Sequence, residues 1–532
     1  MRLLFPLLLA LSGCATANLA PLSRAERASA WWADVVTLSS DAMEGRQAGT
    51  PGYDRAAAFV VERLRSLGLE PAGSEGFYQR VELEEQFLDP ATAHVALVSN
   101  GAETMLRVPE DMVVSRRAPL PQRIDAPLVF VGYGLHMPEA GHDDFAGVDL
   151  RGKIAVYVGG GPAEISAALK SHARAERARL LAERGAVGGI GISTPSQMET
   201  PWARTAAAAS QSGMYFADPE IRSVPGIFFE AGFNPAEAER LFAGSGRLFS
   251  EIAALSDASR AIAGFDLRRS LRATLAPRTR RLASSNIVAR LPGRDPGLRP
   301  EHVVLSAHLD GLGIGEPVNG DRIYNGALDN ASGVAALLDI AAQIRRTRVQ
   351  PRRSLLFVIV TGEEKGLLGA RYYARRPTVP RESIVADLNY DMALPLFPLT
   401  GINVIGAEES SIGADARAAA DALGIALVPD AFPNRNAFIR SDQYAFIEQG
   451  VPAAAFRFGF AAGTPEAEID RVWRLNHYHA PSDDGSQPVF REDEIRLHDF
   501  IAAVALRIAN ADSRPRWNET SFFRRFAASP SP

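Results

Sequence analysis

Cysteine is all but missing from this chain of 532 residues: there is one, Cys14, which excludes an intramolecular disulfide. Past the N-terminus no apolar run approaches the roughly 20 residues that a membrane-spanning helix needs. There is no basic tract, and the formal net charge is −5, so the electrostatic footprint of a nucleic-acid binder is absent. The glycine cluster Gly159-Gly160-Gly161-Pro162 has neither the lysine nor the serine or threonine of a phosphate loop, which leaves a nucleotide site there without support. What is present is an ordinary apolar fraction of 46% and enough length for more than one domain.

The first residues stand apart. Met1-Arg2 is followed by an apolar run over 3–11, too short to span a bilayer; this pattern is a signal peptide. It ends in Leu11-Ser12-Gly13-Cys14, which resembles the bacterial lipobox. That resemblance implies cleavage before Cys14 and lipid on its thiol and new amino terminus, and several acyl chains would anchor the protein stably. The other reading is a plain secretory signal cut after Ala15 or Ala17. The expected location is therefore outside the cytoplasm, as a membrane-anchored lipoprotein facing the periplasm or cell exterior. Ala15 supplies no inner-membrane retention aspartate, which favours the outer membrane.

The pattern along the chain predicts a signal peptide over 1–13, a tether over 14–23, the N-terminal part of a catalytic domain over 24–118, an insert over 119–275, the rest of the catalytic domain over 276–512 and a tail over 513–532. Helical periodicity marks 24–38 and 53–67, with the turn-rich segment 44–52 between them read as structural. From about residue 284, short apolar runs alternate with amphipathic helices: strands near 303–305, 355–360, 384–388 and 453–456, helices near 333–345, 366–374, 412–423 and 492–509. The expected fold class is α/β, a mostly parallel sheet flanked by helices, with a smaller mixed α/β insert. Such sheets bind ligands at the carboxyl ends of their strands.

Acids and histidines fall at those ends. His308 and Asp310 lie two apart, so on extended backbone both side chains face one way, and Asp310 is placed to hold the second ring nitrogen of a metal-bound His308. Asp329 precedes a helix, where it is either an N-cap or a carboxylate able to bridge two cations. Glu363 and Glu364 follow an apolar strand; side by side in a cleft they would repel unless a cation lay between, one binding metal and the other moving protons. Asp391 repeats the strand-then-acid arrangement, and His479 supplies a last nitrogen ligand. The loop holding His136, His142, Asp143 and Asp144 reads as a solvated turn that could also bind a metal, and Arg440 as a surface arginine or a substrate contact.

Together these positions resemble the co-catalytic dizinc aminopeptidase family, which includes bacterial leucyl and broad-specificity aminopeptidases and, more distantly, glutamate carboxypeptidase. The resemblance implies two zinc ions per chain: one on His308 and Asp391, the other on Glu364 and His479, with Asp329 bridging. It also implies that Asp310 orients His308, that Glu363 is the general base and that Tyr478 hydrogen-bonds the oxyanion. Residues 143–154 are similar to the protease-associated insert of many relatives. Peptides are then the expected substrates and the membrane, through Cys14, the expected partner. Two alternatives stay open: a glutamate-carboxypeptidase-like exopeptidase, and a non-catalytic peptide-binding surface lipoprotein on the same scaffold. A glutaminyl cyclase, which generally uses a single zinc, is disfavoured by the full ligand set.

Overall fold

The apolar runs of the second half become four strands, Ser354–Val360, His302–His308, Ile384–Asn389 and Ala453–Phe458, lying side by side in that order and parallel. The first three are buried at every residue, which is why they read as continuous apolar runs and not as alternation. Alternate residues serve opposite faces. Val303, Leu305, Leu355 and Phe357 pack with helices Arg24–Leu38, Ser332–Arg346 and Arg491–Asn510. Val304, Leu356 and Val358 pack on helices Leu368–Arg375 and Gln443–Ile447. This computed structural model describes residues 21–527 except 199, 210, 225, 433, 434 and 436; the expected signal peptide, Cys14 and most of the expected tether lie outside the described residues.

The parallel character expected of the sheet holds at its centre and not at its flanks. Arg278–Leu291 runs antiparallel to both Ser354–Val360 and Tyr78–Phe87, and Gly401–Ile405 runs antiparallel to Ala453–Phe458. The sheet is therefore mixed. Antiparallel strands tolerate one wet face, and Tyr78–Phe87 accordingly alternates buried with exposed positions along much of its length.

A second sheet of eight strands, built within residues 94–274, has its own apolar core around Phe130, Val156, Ile190 and Phe229. It leaves the main sheet after Phe87 and returns before Arg278, and these two residues pair with each other. The second sheet starts earlier than the expected insert boundary at 119: strands His94–Ser99, Ala102–Leu106 and Met112–Val114 belong to it and not to the first unit. Ala102–Leu106 pairs locally with His94–Ser99, but the strands that tie this segment to the second sheet, Phe265–Thr274 and Phe229–Phe233, come much later in the chain, so no local pattern assigns it. One strand crosses back: Gly213–Phe216 pairs with Tyr78–Phe87 at the edge of the main sheet. The inserted unit is thus stitched to the main one by backbone hydrogen bonds. Among the described residues no helix is long and apolar enough to cross a membrane.

Candidate metal centre

Three neighbouring parallel strands deliver much of the site from their carboxyl ends. His308 closes His302–His308, Glu363 and Glu364 follow Ser354–Val360, and Asp391 follows Ile384–Asn389. Asp329 comes from the irregular turn ahead of helix Ser332–Arg346, and His479 from the loop after helix Pro465–Asn476.

These side chains converge as two triads sharing Asp329: His308, Asp329 and Asp391 form one, and Asp329, Glu364 and His479 the other, each with its ligand atoms within 4.8 Å of one another. His308 Nε2 lies 3.3 Å from Asp329 Oδ1 and 3.5 Å from Asp391 Oδ1. His479 Nε2 lies 3.3 Å from Asp329 Oδ2 and 3.2 Å from Glu364 Oε2. The two oxygens of Asp329 therefore face different imidazoles. Ligands at about 2.0–2.2 Å from a tetrahedral ion stand about 3.3–3.6 Å apart, close to the separations found here. His308 Nε2 and Asp391 Oδ1 lie within ion-pair range of each other, yet both are buried without a hydrogen bond, a costly state unless a cation engages them. One imidazole nitrogen with two carboxylates in each triad suits zinc. The residues fit the metal.

Charge points the same way. Burial alone would lower the pKa of His308, yet Glu363, Asp329 and Asp391 raise it well above the usual histidine range. His479 is also raised well above that range: burial opposes the charge, but Tyr478, Glu364 and Asp329 favour it. Burial would raise Asp329, and the two imidazoles instead hold it low. Each triad demands positive charge, and a divalent cation meets the demand that protons otherwise would. Glu363 moves in the opposite direction: burial, together with Asp442, Glu364 and Asp391 and against His308, raises it well above the ordinary glutamate range.

Asp310 does not hold His308 by its carboxylate. That group is 3.9 Å from Nδ1, while the main-chain carbonyl of Asp310 lies 3.1 Å from the same nitrogen. The carboxylate instead accepts the N–H groups of Glu363 at 3.0 Å and Glu364 at 3.3 Å, fixing the turn that presents both acids. Burial pushes it up to about 6. The spacing argument failed because the strand ends at His308, so the same-face rule for extended backbone no longer applies at Asp310. Tyr478 stacks on His479 with ring centroids 3.8 Å apart. Its carbonyl accepts from Arg204 at 3.1 Å, on helix Trp202–Ala208 of the inserted unit.

Two supporting residues escaped the sequence reading. Arg46, fully buried, donates to the carbonyls of Leu38, Leu309, Asn325 and Gly326 at 2.6–2.9 Å. The 44–52 loop is structural as read, but its arginine ties the segment after His308 to the turn before Asp329. Asp483 accepts the N–H groups of Leu328 at 2.9 Å and Asp329 at 3.0 Å, and burial pushes it up to about 7. Its position four residues after His479 was the available signal. His136, His142, Asp143 and Asp144 pair off instead, His136 with Asp143 at 3.2 Å and His142 with Asp144 at 2.9 Å. They form no three-ligand group among the described residues. Arg440 is exposed, on the far wall of the neighbouring cleft.

A strand-edge centre of imidazoles and carboxylates on an α/β sheet defines a class of metal-dependent hydrolase folds. Residues 286–504 match the family described as Peptidase family M28. Among curated proteins it is 27% identical over 264 residues to a "probable leucine aminopeptidase 2" of Aspergillus oryzae, covering 46% of this chain and 49% of that one. It is 28% identical over 177 residues to carboxypeptidase Q of Mus musculus, covering 33% of each. The chain spans about half or less of the length of these relatives. An aminopeptidase from Aneurinibacillus shares the fold over 92% of this chain and 95% of its own, with a TM-score of 0.52 at 20% identity.

Proposed function

We propose that this protein is a zinc exopeptidase, specifically an aminopeptidase that binds two zinc ions and removes N-terminal residues from peptides. The observation that carries the reading is the pair of triads sharing Asp329, with Glu363 beside them, inside the residues that match Peptidase family M28. His308 and Asp391 would hold one ion, Glu364 and His479 the other, and Asp329 would bridge. When bound, the ions supply Lewis acidity, making water nucleophilic at neutral pH and polarising the scissile carbonyl. Glu363 takes a proton from the attacking water and passes it to the departing amine; its raised pKa suits a group that must both accept and release a proton. Tyr478 donates to the developing oxyanion. Asp310, Asp483 and Arg46 keep the backbone around the ligands in place.

The test is hydrolysis of aminoacyl chromogenic amides by purified protein, inhibited by a chelator and restored by zinc. A peptide blocked at its amino end and one blocked at its carboxyl end separate the readings: cleavage of the amino-blocked peptide alone replaces the aminopeptidase by a carboxypeptidase, the activity named for one relative. No zinc and no turnover would leave a binding module.

The inserted unit is read as a protease-associated-like domain that shapes access to the cleft, a reading supported by residues 143–154. Export with lipid attachment at Cys14 is the companion proposal, supported by the Leu11–Cys14 sequence alone. Metabolic labelling with palmitate, lost in Cys14→Ser, checks it; unlabelled wild type leaves the plain secretory signal.

A further inference from the structure

We propose that a pocket beside Asp391 recognises a carboxylate of the substrate through Arg457; this deepens the exopeptidase reading above and rests on it. Arg457 stands on strand Ala453–Phe458, opposite Asn403. Its Nε is buried without a hydrogen-bond partner. The side chain lines a pocket with Met392 and Leu394, which directly follow the ligand Asp391, and with the rings of Phe397, Phe432 and Phe460.

Of the acids lining the pocket, Asp430 is exposed and accepts the N–H of Phe432 at 2.9 Å. Asp470, in the same pocket wall, is held by Arg435 at 3.0 Å and by Arg474 at 3.1 Å, and Asp391 belongs to the metal triad. A buried guanidinium nitrogen with no hydrogen-bond partner is expensive to keep, and a guanidinium is the side chain that best matches the fork of a carboxylate. The pocket opens through Phe432, Arg435 and Arg474 into a cleft of about 960 Å³ between the inserted and main units. Among the described residues that cleft is lined by Lys170, Arg174, Arg471 and further arginines against a single carboxylate, Asp257. Arg471 is paired with Glu468, and Arg435 and Arg474 share Asp470, so Lys170 and Arg174 carry the positive charge that would draw in an anionic ligand. A pocket evolved only for leucine has no use for the arginine. An apolar sleeve ending in a fork takes an aliphatic stem ending in a carboxylate.

Two groups carry that chemistry: the acidic side chain of an N-terminal residue, and the terminal carboxylate of a short peptide. Full-length, zinc-loaded protein is assayed on glutamyl against glutaminyl p-nitroanilide, and on Ala-Ala against Ala-Ala amide. The wild type should favour the acid in one pair by at least about tenfold in kcat/KM, the scale of a charge-assisted bidentate contact, and Arg457→Gln should erase that preference. The first pair identifies the side chain, the second the terminal carboxylate. No acid preference in either pair, or one that survives Arg457→Gln, overturns the proposal. If Arg457→Gln does not fold, Arg457→Lys, which keeps the charge and loses the fork, must reduce the preference, and an unchanged preference overturns it. Absence of turnover on all four compounds would sink the exopeptidase reading instead. Calorimetric titration with glutamate and glutamine then decides on Arg457: equal affinities overturn the assignment, and tighter glutamate binding that is lost in the variant sustains it.

Discussion

Two buried clusters in the main unit combine imidazole with carboxylates and end up opposite in character. His498, on helix Arg491–Asn510, has Nδ1 2.9 Å from Asp339 and Nε2 3.2 Å from Glu494. Arg27 closes that group, bonding Asp339 at 2.7 Å and Asp499 at 2.6 Å. Around His308 and His479 the carboxylates are as dense, but among the described residues their only ion-pair partners are the two histidines. Both His498 nitrogens are engaged, whereas His308 Nε2 is orphaned. The difference is a resident cation. Where an arginine ion-pairs the carboxylates the cluster is structural; around Asp329 the buried Arg46 gives its donors to main-chain carbonyls, and the carboxylates are left for a metal.

Each prediction strains that contrast. The largest effect is expected for Glu363→Gln, which should lower kcat/KM by about 10²–10⁴-fold while bound zinc, measured by atomic emission, stays the same. A loss of zinc in that variant would make Glu363 a ligand and not a base. Next, Arg27→Met leaves buried Asp339 with protonated His498 as its remaining cation and takes the arginine from Asp499, and should destabilise the fold by about 3 kcal/mol, read by denaturant unfolding and independent of chelator. If chelator enlarges that loss, the two clusters are not separate.

Removing metal should have a smaller and reversible effect. Zinc at about 100 times its Kd adds about 2.7 kcal/mol to the folded state, so chelation should lower Tm and added zinc restore it. Asp329→Asn should blunt the response, because both triads share that side chain. The smallest effect is a pH slope. His498 is raised to about 9: burial opposes the charge, but Asp339 and Glu494 outweigh it. The folded state therefore keeps a proton that the unfolded chain releases near pH 6.5, so this stabilisation is complete below about 6.5 and fades as pH climbs through about 9. Tm of chelated protein between pH 6 and 10 should show the decline, and His498→Gln should flatten it.

Much of this was legible from residue order. The three fully buried parallel strands announce themselves as apolar runs, and the acids after them lie at the strand ends where a parallel sheet gathers ligands. Helix Arg24–Leu38 could be placed from its periodicity, and its start is secured by a capping box between Ser23 and Glu26. Asp310 was legible as a site residue and misread as to atom, because a two-residue rule was carried past the end of a strand. Arg46 looked like part of a turn because its four acceptors are carbonyls, which carry no side-chain signature. The 94–114 segment was placed before the insert because the strands that tie it to the second sheet lie far along the chain.

The residue order by itself determined which residue types follow the strands and the strand-and-helix alternation that carries them, since both are short-range patterns of polarity. Only the tertiary structure decided that Asp329 faces two imidazoles, that Asp483 and Arg46 brace its turn, that Gly213–Phe216 stitches the inserted unit to the main sheet and that Arg457 Nε is left without a hydrogen-bond partner. The physical reason is common to all four. Satisfaction of a buried charge or a backbone group depends on everything packed around it, and its neighbours come from segments that only folding brings together.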